Sequence, residues 1–295
     1  MSSKLLLTGA SGQLGGEVLH HLVDTLEIDP ARIIATSRSA EQLKKWRERG
    51  VEVRTADFDK PDELASAFEG ADRLLLISTA SPHNRLQQHL AAVDAAVKAN
   101  VKHVVYTSTC HDGDTSLAIA ADHIKTEQAL ATSALPGWTI LRNNYYMENL
   151  FWTLATAFQN GGQWFSAEGD GKVAYMTRGD LARAAASALA SDTSGKFTVQ
   201  LTGVKAYKAQ EVAAIVSKAI GREIVVRDVT AEAIYQGAIQ HGLPPAIASL
   251  AASAQSLIAR GVFGHVNGEY KALTGVDPQT FEQWIEIYKG ALINA

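Results

Sequence analysis

The stretch Leu5-Leu6-Leu7-Thr8-Gly9-Ala10-Ser11-Gly12-Gln13-Leu14-Gly15 decides the fold. Its apolar start predicts a buried first strand, and a helical pattern with an apolar face begins at Leu14. Three glycines, spaced three apart, lie between the two. Glycine lets the backbone approach a pyrophosphate, and the helix N-terminus supplies free N–H groups, so the stretch predicts a phosphate-binding turn. The alternative is an ordinary strand-to-helix turn.

Composition limits the class of protein. The chain has 295 residues, of which 46% are hydrophobic, enough for one large α/β domain or one domain with a smaller lobe. The net charge is −4 and no run of Lys or Arg stands out, which argues against nucleic acid or an anionic membrane as partner. We expect no membrane span and no signal peptide. A single cysteine, Cys110, excludes an internal disulfide framework and favours a cytoplasmic location; a small buried hydrophobe is its expected role.

Short apolar strands alternate with helical patterns through the first half of the chain. This alternation predicts an α/β fold, a Rossmann-type doubly wound parallel sheet with helices on both faces. We assign residues 1–150 to an NADP-binding Rossmann domain. Residues 151–295 are expected to form a smaller α/β C-terminal substrate lobe, partly interleaved with the first domain and closing over its crevice. In this lobe the last helix is predicted to begin with Asp277 as N-cap and Pro278 at its first position.

Polar or glycine-rich segments follow the carboxyl end of each predicted strand. Because ligands of open parallel sheets bind outside those ends, these segments are expected to converge on one crevice. The predicted cofactor-binding residues are Gly9, Ser11, Gly12, Gln13, Leu14, Gly15, Arg38, Asp57, Phe58, Ser78, Thr79, Ala80, Thr107, Asn143, Asn144 and Tyr145.

The end of the second strand bears on the choice of cofactor. NAD-binding folds usually carry an acid there, whereas this chain has Ser37, Arg38 and Ser39. A guanidinium can bind a 2′-phosphate with two parallel N–H groups, so NADP(H) is the predicted cofactor, with NAD(H) as the alternative. A solvated surface arginine is the other explanation for Arg38. Asp57 and Phe58 are expected to flank the adenine, unless they are a turn aspartate beside a core phenylalanine.

Several motifs, in order along the chain, resemble those of the NmrA-like group of atypical short-chain dehydrogenases, and within it the type 2 NAD(P)H:quinone oxidoreductases and triphenylmethane reductase. They are Thr8-Gly-Ala-Ser-Gly-Gln-Leu-Gly15, Leu74-Leu-Leu-Ile-Ser78, Val101-Lys-His-Val-Val-Tyr-Thr-Ser108, His123-Ile-Lys-Thr-Glu127, Leu141-Arg-Asn143 with Tyr146, and Gly169-Asp-Gly-Lys172 with Thr177-Arg178. The resemblance implies NADPH binding by the glycine loop, Arg38, the turn from Ser78 to Ala80 and the segment starting at Asn143. It also implies reduction of quinones or related electron-poor conjugated acceptors, often by homodimers.

The catalytic motif departs from that of ordinary short-chain dehydrogenases, which use a serine with Tyr-x-x-x-Lys. Ser108 stands at the serine position, but His123 and Glu127 replace the tyrosine and the lysine. We therefore predict direct hydride transfer to an electrophilic acceptor, with His123 and Tyr146 as candidate catalytic residues. The alternatives are a helix histidine bonded to nearby backbone and a loop whose aromatic side chains belong to the core. No His, Cys or carboxylate spacing indicates a metal site.

Two functions follow from these patterns. The first is an NADPH-dependent reductase of quinones or similar conjugated acceptors, with a small molecule as its only substrate partner. The second is a non-enzymatic NmrA-like regulatory protein that binds NADP(H) and reports its redox state to a protein partner. The absence of an acidic or basic tail argues for the reductase.

Overall fold

The chain folds into two compact units, and each unit is built from three separate stretches of the sequence. The computed structural model describes residues 3–79, 81 and 84–293, so the predicted cofactor residue Ala80 lies outside the described part. The first unit comprises residues Met1–Thr109, Asp122–Asn143 and Gly179–Val199, and the second comprises Cys110–Ala121, Asn144–Arg178 and Gln200–Ala295. Each unit is thus discontinuous in sequence and the two are of similar size; a cofactor domain that ends at residue 150 stays a prediction.

The main sheet has seven strands in the order β3-β2-β1-β4-β5-β6-β8. The pairs along β3-β2-β1-β4-β5-β6 are all parallel. The strands are β1 Leu5–Leu7, β2 Ile33–Ser37, β3 Glu52–Thr55, β4 Arg73–Leu76, β5 His103–Thr109, β6 Gly137–Asn143 and β8 Lys196–Leu201. A separate parallel pair in the second unit joins β7 Gln163–Ser166 to β9 Val225–Asp228. The order reverses between β1 and β4, where doubly wound sheets bind their ligands, and the predicted α/β fold class is confirmed.

Helices follow most strands. They are α1 Gln13–His20, α2 Lys44–Arg47, α3 Pro61–Phe68, α4 Arg85–Lys98, α5 Ala118–Thr132, α6 Asn149–Gln159, α7 Arg178–Ala190, α8 Ala209–Ile220, α9 Ala231–Gln240, α10 Pro245–Ala259, α11 Glu269–Thr274 and α12 Phe281–Ile293. Among the described residues, no helix combines the length and apolar character needed to cross a membrane.

The core of the first unit explains why its strands read as continuous apolar runs. Leu6, Leu74 and Val104 from three neighbouring strands are fully buried, and Phe68 of α3 and Val93 of α4 pack in the same cluster. At about 25 cal/mol per Å² of apolar surface, each such side chain contributes roughly 1.5–3 kcal/mol through burial. This packing holds the carboxyl ends of β1, β2, β4 and β5 at one edge of the sheet.

Two helix boundaries differ from the sequence prediction. The apolar face predicted to begin at Leu14 continues in the sequence through Leu22 and Leu26, but α1 ends at His20 and a π-helical turn at His21–Thr25 follows it. The last helix begins at Phe281 rather than near Asp277. Thr280 Oγ1 accepts a hydrogen bond from Gln283 N, and Gln283 Oε1 accepts one from Thr280 N. This reciprocal capping fixes the start of α12 three residues later than predicted, while Asp277 pairs with Lys271 instead.

Gly15 is required by a close backbone approach, and its neighbour provides a control. A Cβ on Gly15 would stand 2.2 Å from the carbonyl oxygen of Gly9, whereas a Cβ on Gly16 would have no atom within 4 Å. We expect Gly15→Ala to lower the free energy of unfolding by about 2 kcal/mol or more, since the turn must move. Gly16→Ala should leave it unchanged or raise it by up to about 1 kcal/mol.

Urea denaturation of both variants measures the difference. An equal effect of the two substitutions would contradict the close approach of α1 to the turn before it.

Candidate functional site

The glycine turn between β1 and α1 presents an open helix N-terminus. Gly9 has a φ of +62°, a conformation that favours glycine, and its carbonyl accepts a 2.9 Å bond from Gly12 N. Gly12 is the N-cap of α1, and no side chain caps it. Ser11, Gly12 and Gln13 are exposed. The first N–H groups of the helix therefore face outward without intrahelical partners, which fits the binding of a phosphate.

Hydrogen bonds join this turn to the ends of the two neighbouring strands. Ala10 N donates to Thr36 O at 3.0 Å, and the hydroxyls of Ser11 and Ser37 are 2.8 Å apart. On the other side, Ile77 N donates to Thr8 Oγ1 at 3.0 Å. The turn is thus held at the reversal point of the sheet, next to the end of β2, as the sequence predicts for a dinucleotide site.

The segment after β2 carries an unengaged cation. Arg38 is exposed and makes no hydrogen bond or ion pair with the other described residues. Its charge acts on Asp59, whose pKa is lowered mainly by hydrogen bonds from Gln88 and Asn84 and further by Arg38. An exposed arginine that directly follows Ser37 in the sequence fits the binding of a phosphate on the adenosine ribose.

Asp57 and Phe58 occupy the turn after β3. Asp57 Oδ1 accepts a 3.1 Å bond from Asp59 N, and Phe58 is a partly buried residue that packs against the core. Both features match the alternative of a turn aspartate beside a core phenylalanine. Contact of either residue with an adenine stays a prediction.

The turn after β4 is held by buried side chains. Thr107 Oγ1 accepts a 2.9 Å bond from Ser78 N, and His89 Nε2 accepts a 3.0 Å bond from Thr79 N. Thr107 and His89 are buried, so Thr107 supports the turn from beneath. Asn143 ends β6 in register with Thr109 and is also buried. Contact of Ser78 and Thr79 in this turn with a cofactor stays a prediction.

An ion pair between buried Glu127 and partly exposed Arg142 occupies the place where a dehydrogenase of the usual type keeps its catalytic groups. Ser108 Oγ donates to Glu127 Oε1 at 2.6 Å. Arg142 binds the same carboxylate with two bonds, Nε to Oε1 at 3.1 Å and Nη2 to Oε2 at 2.6 Å. Since the carboxylate takes the Ser108 hydrogen, this hydroxyl is not offered as a donor to a substrate carbonyl.

His123 lies one helical turn before Glu127 and is buried. Its Nδ1 atom lies 2.8 Å from the hydroxyl of Tyr106, and the Tyr106 hydroxyl lies 3.3 Å from His89 Nδ1. His123 is therefore bonded to a side chain of β5. No sequence pattern selects Tyr106 or His89 as functional, because a tyrosine inside an apolar strand is expected to be core.

Asn144, Tyr145 and Tyr146 belong to the second unit. Asn144 Nδ2 donates to Phe263 O at 3.2 Å, and its Oδ1 accepts a 2.7 Å bond from Tyr145 N. Both polar atoms of this side chain thus form hydrogen bonds within the second unit, which matches the alternative of a structural loop. Tyr146 forms a single parallel bridge with Met176 and is half-buried. The proposed roles of these residues toward cofactor or substrate stay predictions.

A buried acid, Glu168, lies near Tyr145 and Tyr175 in the second unit. The Tyr145 ring packs edge-on against Tyr175, with centroids 6.0 Å apart, and against Phe263 at 5.8 Å. Glu168 is 6% exposed, and burial raises its pKa to about 7. Burial also raises the pKa of Tyr145 to about 12, and the charge of Glu168 adds to that rise. No sequence pattern marked Glu168, because one Glu before Gly169 gives no sign of burial.

The raised pKa of Glu168 predicts a stability that falls with rising pH. Between about pH 4.5 and 7 the folded chain binds a proton that the unfolded chain has released, so the free energy of unfolding decreases across this window. Glu168→Gln removes this dependence. The free energy of unfolding of the variant, taken relative to that of wild type, is expected to rise by on the order of 3 kcal/mol between pH 5 and pH 8.

Urea denaturation at both pH values tests this, with the exposed Glu286→Gln as the control in the same unit. A difference between Glu168→Gln and wild type that does not change with pH would contradict a neutral, buried Glu168.

Comparison with known proteins agrees with this geometry. Quinone oxidoreductase 2 of Escherichia coli K12 is 33% identical over 258 residues, which cover 87% of this chain and 88% of the relative. A solved structure of the E. coli NADPH-dependent quinone oxidoreductase with NADPH has a TM-score of 0.89 at 31% identity and covers 96% of this chain and 98% of that one. Triphenylmethane reductase of Citrobacter sp., complexed with NADP(H), has a TM-score of 0.83 at 30% identity and covers 96% and 99%.

A more distant likeness concerns the fold alone. NmrA, a negative transcriptional regulator, has a TM-score of 0.70 at 13% identity. The NmrA-like family itself matches residues 1–288, almost the whole chain. The chain belongs to the NmrA-like family.

Proposed function

We propose that this chain is an NADPH-dependent reductase that transfers hydride to quinones or related conjugated, electron-poor acceptors. The observation that carries the cofactor is the uncapped glycine turn, together with an exposed Arg38 after β2 that has no hydrogen-bond or ion-pair partner in the described part of the chain. The acceptor class is supported by the relatives, a quinone oxidoreductase and a triphenylmethane reductase, each about 30% identical or more over most of its length. When bound, the reduced nicotinamide supplies the hydride.

Different residues of the first unit bind different parts of the cofactor. The backbone of Gly9–Gly15 receives the pyrophosphate, and the helix N-terminus adds favourable dipole charge. Arg38, with the hydroxyls of Ser11 and Ser37, receives the 2′-phosphate, which favours NADPH over NADH. Ser78 and Thr79 position the cofactor at the turn after β4.

The engaged Ser108 supports an acceptor that needs little acid assistance. In the reduction of a simple carbonyl a hydroxyl must donate to the developing alkoxide, but here the Ser108 hydrogen points to Glu127. A quinone gives a stabilised phenolate, and a cationic dye becomes a neutral molecule, so neither requires a strong donor at that point. The chain then contributes orientation and a dry surface, and no donation from Ser108 is needed.

A cofactor-sensing role is the second candidate, since the fold is shared with the regulator NmrA. A sensor binds oxidised and reduced cofactor with different affinity and turns over no acceptor. The low identity to that regulator, against about 30% to the reductases, favours turnover.

The test is loss of NADPH absorbance with a panel of simple quinones and one cationic triphenylmethane dye. We expect quinone-dependent oxidation of NADPH that is absent when protein or quinone is omitted. Tight binding of NADPH without oxidation by any acceptor would overturn the reductase and leave the sensor. Failure to bind NADP(H) or NAD(H) at all would overturn both.

Arg38→Ala should change the choice of cofactor. Because a charge-assisted bond to the 2′-phosphate is lost at an exposed position, we expect binding of NADPH to weaken about ten- to thirtyfold while binding of NADH changes little. Isothermal titration with both cofactors measures this, and Arg47→Ala, another exposed arginine, is the control. An equal loss for NADPH and NADH would contradict the phosphate contact.

A further inference from the structure

A buried hydrogen-bonded cluster lies beneath the turn after β4. It consists of His89 from α4, Tyr106 from β5, and His123 and Thr126 from α5, and all four are at most 7% exposed. Thr79 N donates to His89 Nε2, and His89 Nδ1 lies 3.0 Å from Thr126 Oγ1. The cluster therefore connects the predicted cofactor turn with His123.

The hydrogen atoms of His89 follow from its partners. A backbone amide can only donate, so His89 Nε2 must accept, and the neutral ring carries its hydrogen on Nδ1. Burial lowers the pKa of His89 to about 4; Arg85 acts in the same direction and Asp122 opposes it. Thr126 Oγ1 donates to Asp122 O at 2.7 Å and is thus available to accept from His89 Nδ1.

The hydrogen of Tyr106 is then directed to His123. Burial raises the pKa of Tyr106 far above its usual range, so the phenol keeps its hydrogen. His89 Nδ1 presents an N–H toward the Tyr106 oxygen and cannot accept from it. Thr126 is the other hydrogen-bonding neighbour of the phenol, and the ring nitrogen His123 Nδ1, at 2.8 Å, is a stronger acceptor than the Thr126 hydroxyl. A neutral His123 bonded in this way carries its own hydrogen on Nε2.

We propose that His89 and Tyr106 are positioning residues of the reductase, His89 holding the cofactor turn through the Thr79 amide and Tyr106 fixing the tautomer and orientation of His123. This inference rests on the proposed function, because the turn matters only if it holds the cofactor. His89 acts on cofactor binding and Tyr106 acts on the state of His123. The two roles can be separated by experiment.

Two variants of His89 test its role. Gln places an acceptor oxygen near the position of Nε2, whereas Leu leaves the Thr79 amide unpaired. We expect His89→Leu to raise the Kd and KM for NADPH about tenfold with little change in kcat, and His89→Gln to restore most of the affinity. If both variants bind NADPH like wild type, or if Gln is as poor as Leu in a chain that melts like wild type, the role of His89 is overturned.

The tautomers are tested by ¹⁵N NMR of the histidine rings, assigned with His89→Gln and His123→Asn. The wild type should show His89 with hydrogen on Nδ1 and His123 with hydrogen on Nε2. Tyr106→Phe should change the His123 ring signals and lower kcat while leaving the KM for NADPH unchanged. The opposite tautomer in His89, or unchanged His123 signals in Tyr106→Phe, would overturn the proposal.

The NMR and the titration of NADPH do not depend on turnover. If no acceptor is reduced but the tautomers and the His89 effect are found, the reductase fails and the positioning cluster stands. If quinones are reduced but the tautomers differ, only the cluster fails.

Discussion

The structure depends on the close contact between the start of α1 and the turn that precedes it. The carbonyl of Gly9 occupies the space where a side chain on residue 15 would stand, so helix and turn approach each other by backbone alone. This approach directs the N-terminus of α1 outward at the edge of the sheet, and it allows Thr8 and Ala10 to bond the ends of β4 and β2. A larger residue at position 15 would separate these elements, and the proposed phosphate site would lose its shape.

The other turns at this edge of the sheet differ in how firmly they are held. The turn after β2 leaves Arg38 in solvent, whereas the turn after β4 is tied down by Thr107 and His89. The supporting side chains are buried, and the groups proposed to meet the ligand are backbone amides, hydroxyls and one exposed guanidinium. Such a division is favourable, since buried polar groups satisfied within the protein hold the exposed groups in a fixed geometry.

The sequence was sufficient for the fold because apolar runs and glycine spacing are local signals. The doubly wound parallel sheet and the glycine turn were therefore predictable from them. Boundaries set by side chains were not predictable in this way, as Thr280 and Gln283 show at α12.

The cluster of His89, Tyr106 and His123 could not be predicted for another reason. Each neighbour is 17 residues away in sequence, and only the packing of two helices on β5 brings the rings together. The burial of Glu168 likewise depends on the second unit as a whole.

The electrostatics around Ser108 argue for the proposed class of acceptor. A lysine four residues after a catalytic tyrosine stabilises a phenolate, whereas Glu127, at that spacing after His123, is a carboxylate that raises the pKa of the nearby Tyr106 together with burial. Arg142 neutralises Glu127 by two bonds and is thereby no longer free to stabilise a substrate anion. A hydride acceptor that develops a localised alkoxide needs a stabilising charge, and that of Arg142 is already engaged by Glu127. An acceptor that spreads the added charge over a conjugated ring, or loses a positive charge on reduction, does not need one.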